Sequence, residues 1–246
     1  MNKTIEVIQN HRSIRQYLDK DISDDIIDEI VKSAQAMPNS INGQQTSVIV
    51  VKDKAKKEKL AELTGNQTWV AQYPVFLVFV MDFYRTHLAA KKNNVEQVIH
   101  EYNEGIQVGS VDVGIALGAA TIAAESLGLG VVPIGGIRKN PEEVIKLLEL
   151  PKYTFPLVGL VVGYPANNSH KKPRIAFDSF RHLDKYNKEI VEASIDPYDD
   201  EMSEYLKEVG RYDKEKNWSY STSGFYKYNY YPKGSSTLEE QGFLGK

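Results

Sequence analysis

The apolar positions along this chain follow two rhythms. After the polar stretch Asp19 to Asp25, the residues Ile26, Ile27, Ile30, Val31 and Ala34 recur at helical spacing until Pro38, which predicts an amphipathic surface helix. Thr46 to Val51 and Val75 to Met81 are β-branched and aromatic runs, too short for free-standing helices and dense enough to predict strands covered on both faces. Lys54 to Leu63, between them, reads as helical. Val131 to Ile134 and Leu157 to Val162 predict two further strands, closed by Gly135-Gly136 and by Gly163 with Pro165. Asn140-Pro141-Glu142-Glu143 predicts a helix start with its cap, an N1 proline and acids in the first turn.

The longest apolar stretch, Ile106 to Leu127, has apolar residues on nearly every face, which predicts a helix buried all round. Its interleaved Gly109, Gly114, Gly118 and alanines admit another helix at close range, either in the middle of a domain or at a subunit interface. Ser110, Asp112 and Glu125 argue against an isolated membrane span, because hydrocarbon penalises each of them. Helices and strands in this order predict an α+β or α/β domain around a central sheet. After Pro165 the texture changes. One helix is predicted, Asp199 to Val209, followed by a tyrosine-rich tail from Tyr220 to Tyr231 that reads as an arm packing on something already folded. Residues 1–165 are thus expected to form the core and 166–246 an excursion and arm that complete it.

Composition narrows the functional classes. The 246 residues are 41% hydrophobic, enough to bury a full core, and carry a net charge of -3 from 33 acidic and 30 basic residues spread along the chain. No broad positive field exists for nucleic acid or anionic lipid, so any anion site is local. The absence of cysteine excludes disulfides, thiolate metal sites and Cys nucleophiles, and fits a reducing compartment. Met1 to His11 lacks an export-signal pattern, so the cytoplasm is expected. The five histidines show no paired metal-ligand spacing and no G-x-S-x-G elbow occurs, so no metal site is expected. With no evident acid, base or nucleophile, a cofactor is the natural carrier of any chemistry.

Several segments have the chemistry to hold one. His11-Arg12-Ser13-Ile14-Arg15 sets two guanidinium groups, a hydroxyl and an imidazole within five residues, after a helix predicted over Thr4 to Asn10. Such a cluster grips a phosphate dianion; equally, basic residues collect at a helix C-terminus because the dipole favours them there. Lys172 and Arg174 flank Pro173 and form either a second cationic pair or a solvated loop. Ile134-Gly135-Gly136 lets backbone approach a flat ligand, or simply turns the chain. Asn39 to Gln45 and Gly65-Asn66-Gln67 are amide-rich loops able to read a heterocycle edge, or ordinary turns.

Taken in order, these segments resemble the nitroreductase and flavin reductase family, in its oxygen-insensitive NADPH nitroreductase branch. The marks are His11 to Arg15, Asn39-Ser40 with Gln44, Thr64 to Gln67, Ala123 to Gly130, Ile134 to Arg138, and Lys172-Pro173-Arg174. The resemblance implies an α+β nitroreductase-like fold, a central mixed sheet flanked by helices around a long buried central helix, in an intertwined homodimer whose C-terminal arm wraps the partner. It implies FMN, with His11, Arg12, Ser13, Arg15, Lys172 and Arg174 around its phosphate and ribityl. Asn39, Ser40 and Gln67 would meet the isoalloxazine edge, and Pro133, Ile134, Gly135 and Gly136 would lie beside the ring near N5, where the Gly135 backbone assists. NADPH or NADH would be the donor, and nitroaromatics, quinones or free flavin the acceptors, in a ping-pong reaction with no catalytic side chain. A dedicated FMN reductase supplying a partner, and a non-catalytic FMN-binding protein, are the alternatives. Where relatives hold the NADPH 2′-phosphate with an arginine this chain has Val209, with Arg211, Lys214 and Lys216 nearby as substitutes, and the donor preference stays open.

Overall fold

The two apolar runs first read as strands lie side by side. Thr46–Val51 (β1) pairs antiparallel with Val75–Asp82 (β2), Thr46 opposite Met81 and Val51 opposite Phe76. With Gly130–Ile134 (β3) and Thr154–Gly163 (β4) they form a four-stranded sheet in the order β1-β2-β4-β3. The α+β class holds, and within this sheet every ladder is antiparallel. A parallel pairing enters only as the single bridge between Ser13 and Val131. The computed structural model describes residues 2–72, 74–213 and 217–245. Two compact units divide the chain: residues 1–169 with 231–246, and residues 170–230.

Strand periodicity builds the first unit's layers. On β2, Val75, Leu77, Phe79 and Met81 face one side, where Asp24–Gln35 (α2) buries Ile27, Ile30 and Ala34. Asn103–Ser126 (α6) adds Val113, Ala116, Ala120 and Ala124 to the same layer. Phe76, Val78 and Val80 face the other side, against Leu60 and Leu63 of Lys54–Leu63 (α3) and Val144 of Pro141–Leu147 (α7). Phe76 and Phe79 are fully buried, and each such side chain contributes about 1.5–3 kcal/mol of transfer free energy. Only β2 is covered on both faces along its whole length. β1, expected to be covered likewise, is an edge strand with Val50 39% exposed, because nothing in the described chain lies beyond it.

Helix α6 also departs from expectation. It is long and apolar enough, by length and composition, to cross a membrane, yet only 28% of its most apolar window is buried. One stripe packs on α2 and the sheet. Val111 is 60% exposed, and positions 114 and 118 have open space where a Cβ would point. The helix is therefore not buried all round by its own chain. The remaining short helices of this unit are Lys3–Gln9 (α1), Thr68–Gln72 (α4) and Tyr84–Lys92 (α5). Asn140 precedes α7 without capping it: its side-chain amide donates to the Leu63 carbonyl at 2.9 Å and its oxygen accepts from Lys233 at 3.2 Å.

Residues after Pro165 are more helical than the sequence suggested. The second unit holds Phe177–Phe180 (α8), Lys188–Ala193 (α9), Ile195–Glu208 (α10) and Trp218–Tyr226 (α11). Within it, the buried Asp199 carboxylate accepts from the Ser219 backbone at 2.8 Å and its hydroxyl at 2.5 Å, fixing the start of α11 on α10. Lys233–Glu240 (α12) returns to the first unit, where Lys233 pairs with Glu142 at 2.5 Å and Phe243 is buried beside His100.

Candidate functional site

Helix α1 closes at Gln9 with no basic residue in its last turn, so the cations of the next segment are not helix-end residues. That segment runs extended along the sheet edge. The Ile14 N–H donates to the Val131 carbonyl at 2.9 Å, and Leu18 and Ala166 continue the pairing with Tyr164 and Gln16. Ile14 and Tyr17 turn inward, and Tyr17 Oη donates to the Ile14 carbonyl at 2.7 Å. Arg15 is left exposed and Arg12 and Ser13 partly so. A Cβ on Gly130 would sit 2.6 Å from Ile14 Cγ1, so this close seating on β3 requires glycine there.

Among the described residues neither Arg12 nor Arg15 has a carboxylate partner; the Arg12 Nε donates only to the Asn10 carbonyl, at 3.3 Å. Two guanidinium groups without internal anions, on a backbone pinned to a sheet, suit a phosphate monoester better than a solvated face. His11 is tied instead. Its Nδ1 lies 2.7 Å from Oε1 of Glu125, in the last turn of α6.

The strand that seats this segment ends in the glycine turn. Ile134 is 2% exposed, so only its backbone can meet a ligand, whereas the Pro133 ring is outward. The 3-10 turn Gly135–Arg138 follows. A Cβ on Gly136 would lie 2.4 Å from the Thr64 carbonyl oxygen and 2.6 Å from Gln67 Nε2, which brings the turn against the 64–67 loop. Gln67 Nε2 donates to Thr64 at 2.8 Å, leaving its oxygen available as an acceptor. A Cβ at Gly135 would be in van der Waals contact with Arg138 Nη2 at 3.4 Å and Tyr231 Oη at 3.9 Å, and the Arg138 guanidinium stands 5.5 Å over the Tyr231 ring. The segment His11 to Arg15, seated opposite Val131, and the Gly135-Gly136 turn with Gln67 beside it are thus both placed on β3, at its start and at its end.

Asn39 and Ser40 are not. Their hydrogen bonds go to the 42–44 turn and to Asp112 on α6, whose carboxylate accepts from the Ser40 N–H at 3.2 Å. Burial pushes the Asp112 carboxyl above its ordinary value, and the Ser40 bond pulls it partly back. Ile41, Asn42 and Gln44 all have positive φ, and Ile41 is 95% exposed. Asn39, Gln44, Arg85 and Asp112 line a cleft of about 720 Å³ between α2, β1 and α6. Asp112 and Glu125 lie thirteen residues apart on one helix, roughly 20 Å at 1.5 Å per residue.

In the second unit Lys172 and Arg174 are exposed, with no carboxylate partner among the described residues. Arg174 Nη1 donates to the Lys172 and Pro173 carbonyls at 3.0 and 3.3 Å, and Tyr198 Oη donates to Pro173 at 3.1 Å. Arg211 is exposed just past α10, while Lys214 and Lys216 lie outside the described residues. Sequence reasoning gave no role to Asp112 and Glu125. The signal was present: beyond the first turn they are the acids of an otherwise small and apolar helix, noted as obstacles to a membrane span and, for Glu125, within the stretch Ala123 to Gly130 that carries the resemblance.

An extended cationic segment seated on the edge strand that ends in a glycine turn has the chemistry to hold a phosphate-bearing cofactor. The chain belongs to the nitroreductase family. The family's own model matches residues 8–164 and that of its C-terminal domain residues 172–246. The FMN reductase [NAD(P)H] of Bacillus subtilis is 47% identical over 245 residues, covering 99% of this chain and 98% of that protein. Among solved structures, NfrA2 of B. megaterium is 50% identical with a TM-score of 0.97 over the whole of both chains. The NADPH:FMN oxidoreductase of Vibrio harveyi complexed with NAD+ is 33% identical, with a TM-score of 0.89 over the whole of both chains.

Proposed function

We propose that this chain is an FMN-dependent NAD(P)H oxidoreductase whose acceptors are nitroaromatics, quinones or free flavin. The observation that carries the reading is the pair Arg12 and Arg15, without carboxylate partners among the described residues, on a segment seated on β3, the strand that ends in the Gly135-Gly136 turn. These groups fit FMN: the guanidinium groups, Ser13 and His11 for its phosphate and ribityl, Gln67 for the edge of its ring system, and the backbone of 133–136 beside the ring. When bound, FMN would supply the redox chemistry, hydride acceptance from a nicotinamide and electron delivery to an acceptor in a ping-pong sequence. The chain's part is binding and orientation: the Gly135 N–H is a donor suited to negative charge arriving at the ring. On chemistry alone Lys172 and Arg174 are proposed for the same phosphate, and Arg211, Lys214 and Lys216 for the 2′-phosphate of NADPH.

The working unit is proposed to be a homodimer in the cytoplasm, with the 166–246 region completing the core and reaching the partner. The exposed face of α6, with space at Gly114 and Gly118, accepts a second helix at close range. A dimer also accounts for Asn39 and Ser40, which stand at the middle of α6, thirteen residues before Glu125, and would serve the partner's flavin.

The test is anaerobic addition of NADPH or NADH to FMN-reconstituted protein, followed by nitrofurazone, menadione or free FMN. Bleaching of the flavin band by a nicotinamide and recovery with an acceptor are expected. A protein that takes up no FMN, or whose FMN neither nucleotide bleaches, would overturn the reading.

A further inference from the structure

The Ala123 to Gly130 stretch has no ligand-facing role in the proposed function, yet its residues form the seat under the cationic segment. Gly130 accepts Ile14 in van der Waals contact, and Glu125 reaches across 114 positions of sequence to His11. Glu125 is 13% exposed, and its second oxygen, Oε2, is buried with no hydrogen-bond partner among the described residues. A buried carboxylate oxygen without a donor is costly, and here it stands in a helix turn otherwise built from alanine, serine and leucine. A purely structural position would be filled more cheaply by an apolar residue.

We infer that Glu125 is the positioning residue of the cofactor site: it holds the His11 ring so that Nε2 faces, as an acceptor, a hydroxyl of the bound cofactor's ribityl chain. An ionised carboxylate only accepts, so the 2.7 Å contact places the proton on Nδ1 and leaves Nε2 as the nitrogen available to a ligand. The same contact fixes the ring plane, since His11 is anchored at its backbone by the Ile8 carbonyl and at its side chain by α6. Arg12 and Arg15, which lack such a tether, adapt to the anion; His11 sets the register of the ribityl chain. This inference rests on the FMN reading of the site.

The experiment is a fluorescence titration of apoprotein with FMN for wild type, His11→Ala, Glu125→Leu, Glu125→Gln, the His11→Ala/Glu125→Leu double variant, and Arg15→Ala. It is accompanied by 15N NMR of the His11 ring in wild-type apoprotein, assigned with His11→Ala. His11→Ala and Glu125→Leu are each expected to raise the FMN Kd about fivefold, and the double variant no further than His11→Ala alone. Glu125→Gln, whose carbonyl still accepts from Nδ1, should retain affinity within about twofold. The ring should carry its proton on Nδ1.

A Glu125→Leu loss that persists undiminished in the His11→Ala background would overturn the inference, and so would an Nε2-protonated ring. The NMR result decides even if Glu125→Leu fails to fold. If Arg15→Ala binds FMN as wild type does, the reading of the site itself fails and takes this inference with it. If Arg15→Ala is weakened while His11 and Glu125 act independently, only this inference fails.

Discussion

The C-terminal end of α6 and its middle support different kinds of site. At the C-terminal end, Glu125 and β3 hold the 11–15 segment by backbone pairing, buried Ile14 and Tyr17, and one side-chain tether, so its cations are presented without strain. Thirteen residues earlier, Asp112 holds a loop with three left-handed non-glycine residues whose side chains are largely spent on their own turn. Charge placed on regular structure costs little to maintain, whereas a strained loop persists only where its surroundings over-determine it. The 11–15 segment has the chemistry proposed to hold an anion in place; the 39–44 loop presents backbone and an exposed Ile41.

The largest effect expected of that contrast is at Ile14. Ile14→Ala removes a side chain that is 4% exposed and is the wedge between the cationic segment and β3, so unfolding stability should fall by about 2–5 kcal/mol. FMN retention should fall with it. Denaturant unfolding and FMN titration measure both, and unchanged affinity in folded protein would separate the seat from the site. Gly136→Ala comes next. Its Cβ meets backbone at 2.4 Å, so a loss of about 1–3 kcal/mol is expected, together with displacement of Gln67.

At the middle of α6 the sign reverses. Ile41 has φ 48 and is 95% exposed, so Ile41→Gly relieves strain without losing burial and should raise stability by about 1 kcal/mol or less. Turnover should drop if the loop serves the flavin; a stabilised variant with unchanged turnover would remove the 39–44 loop from the site.

The smallest effect is a pH dependence away from both regions. Burial lowers the pKa of His100, with Glu101 opposing and His87 adding, and His100 packs edge-on against Tyr153 and Phe243. A folded pKa below the unfolded value gives stability that is present above the ordinary histidine range and lost as pH falls through the lowered value. His100→Phe should flatten that part of the stability profile in thermal melts between neutral and acid pH. An unchanged slope would show that other groups carry it.

Much of the fold was legible because periodicity and length are local properties. β2 and β4 announced themselves as dense apolar runs, and α2 by its spacing up to Pro38. The covering of an element is not local. α6 reads as buried on every face, but its own chain covers one stripe, and β1 looks like β2 until its position at the edge is known. α11 and α12 were missed because Trp218–Tyr226 and Lys233–Glu240 are rich in serine, tyrosine and glycine, weak helix formers with little apolar repeat. One signal was readable there: Asn217 caps α11 by accepting from Tyr220 at 2.9 Å. At the site, the donor chemistry of His11 to Arg15 was visible in sequence, while the choice between helix end and anion seat depended on where α1 stops. Glu125 was invisible as a partner because 114 residues separate it from His11.

The central claim is that the exposed cations seated on β3 hold the cofactor's phosphate, and equilibrium titration of FMN into wild-type and Arg15→Ala apoprotein tests it most directly. Loss of one charge-assisted contact of about 1.5–3 kcal/mol predicts an FMN Kd raised roughly tenfold or more, with the thermal stability of the apoprotein unchanged. An Arg15→Ala protein that binds FMN as tightly as wild type would contradict it.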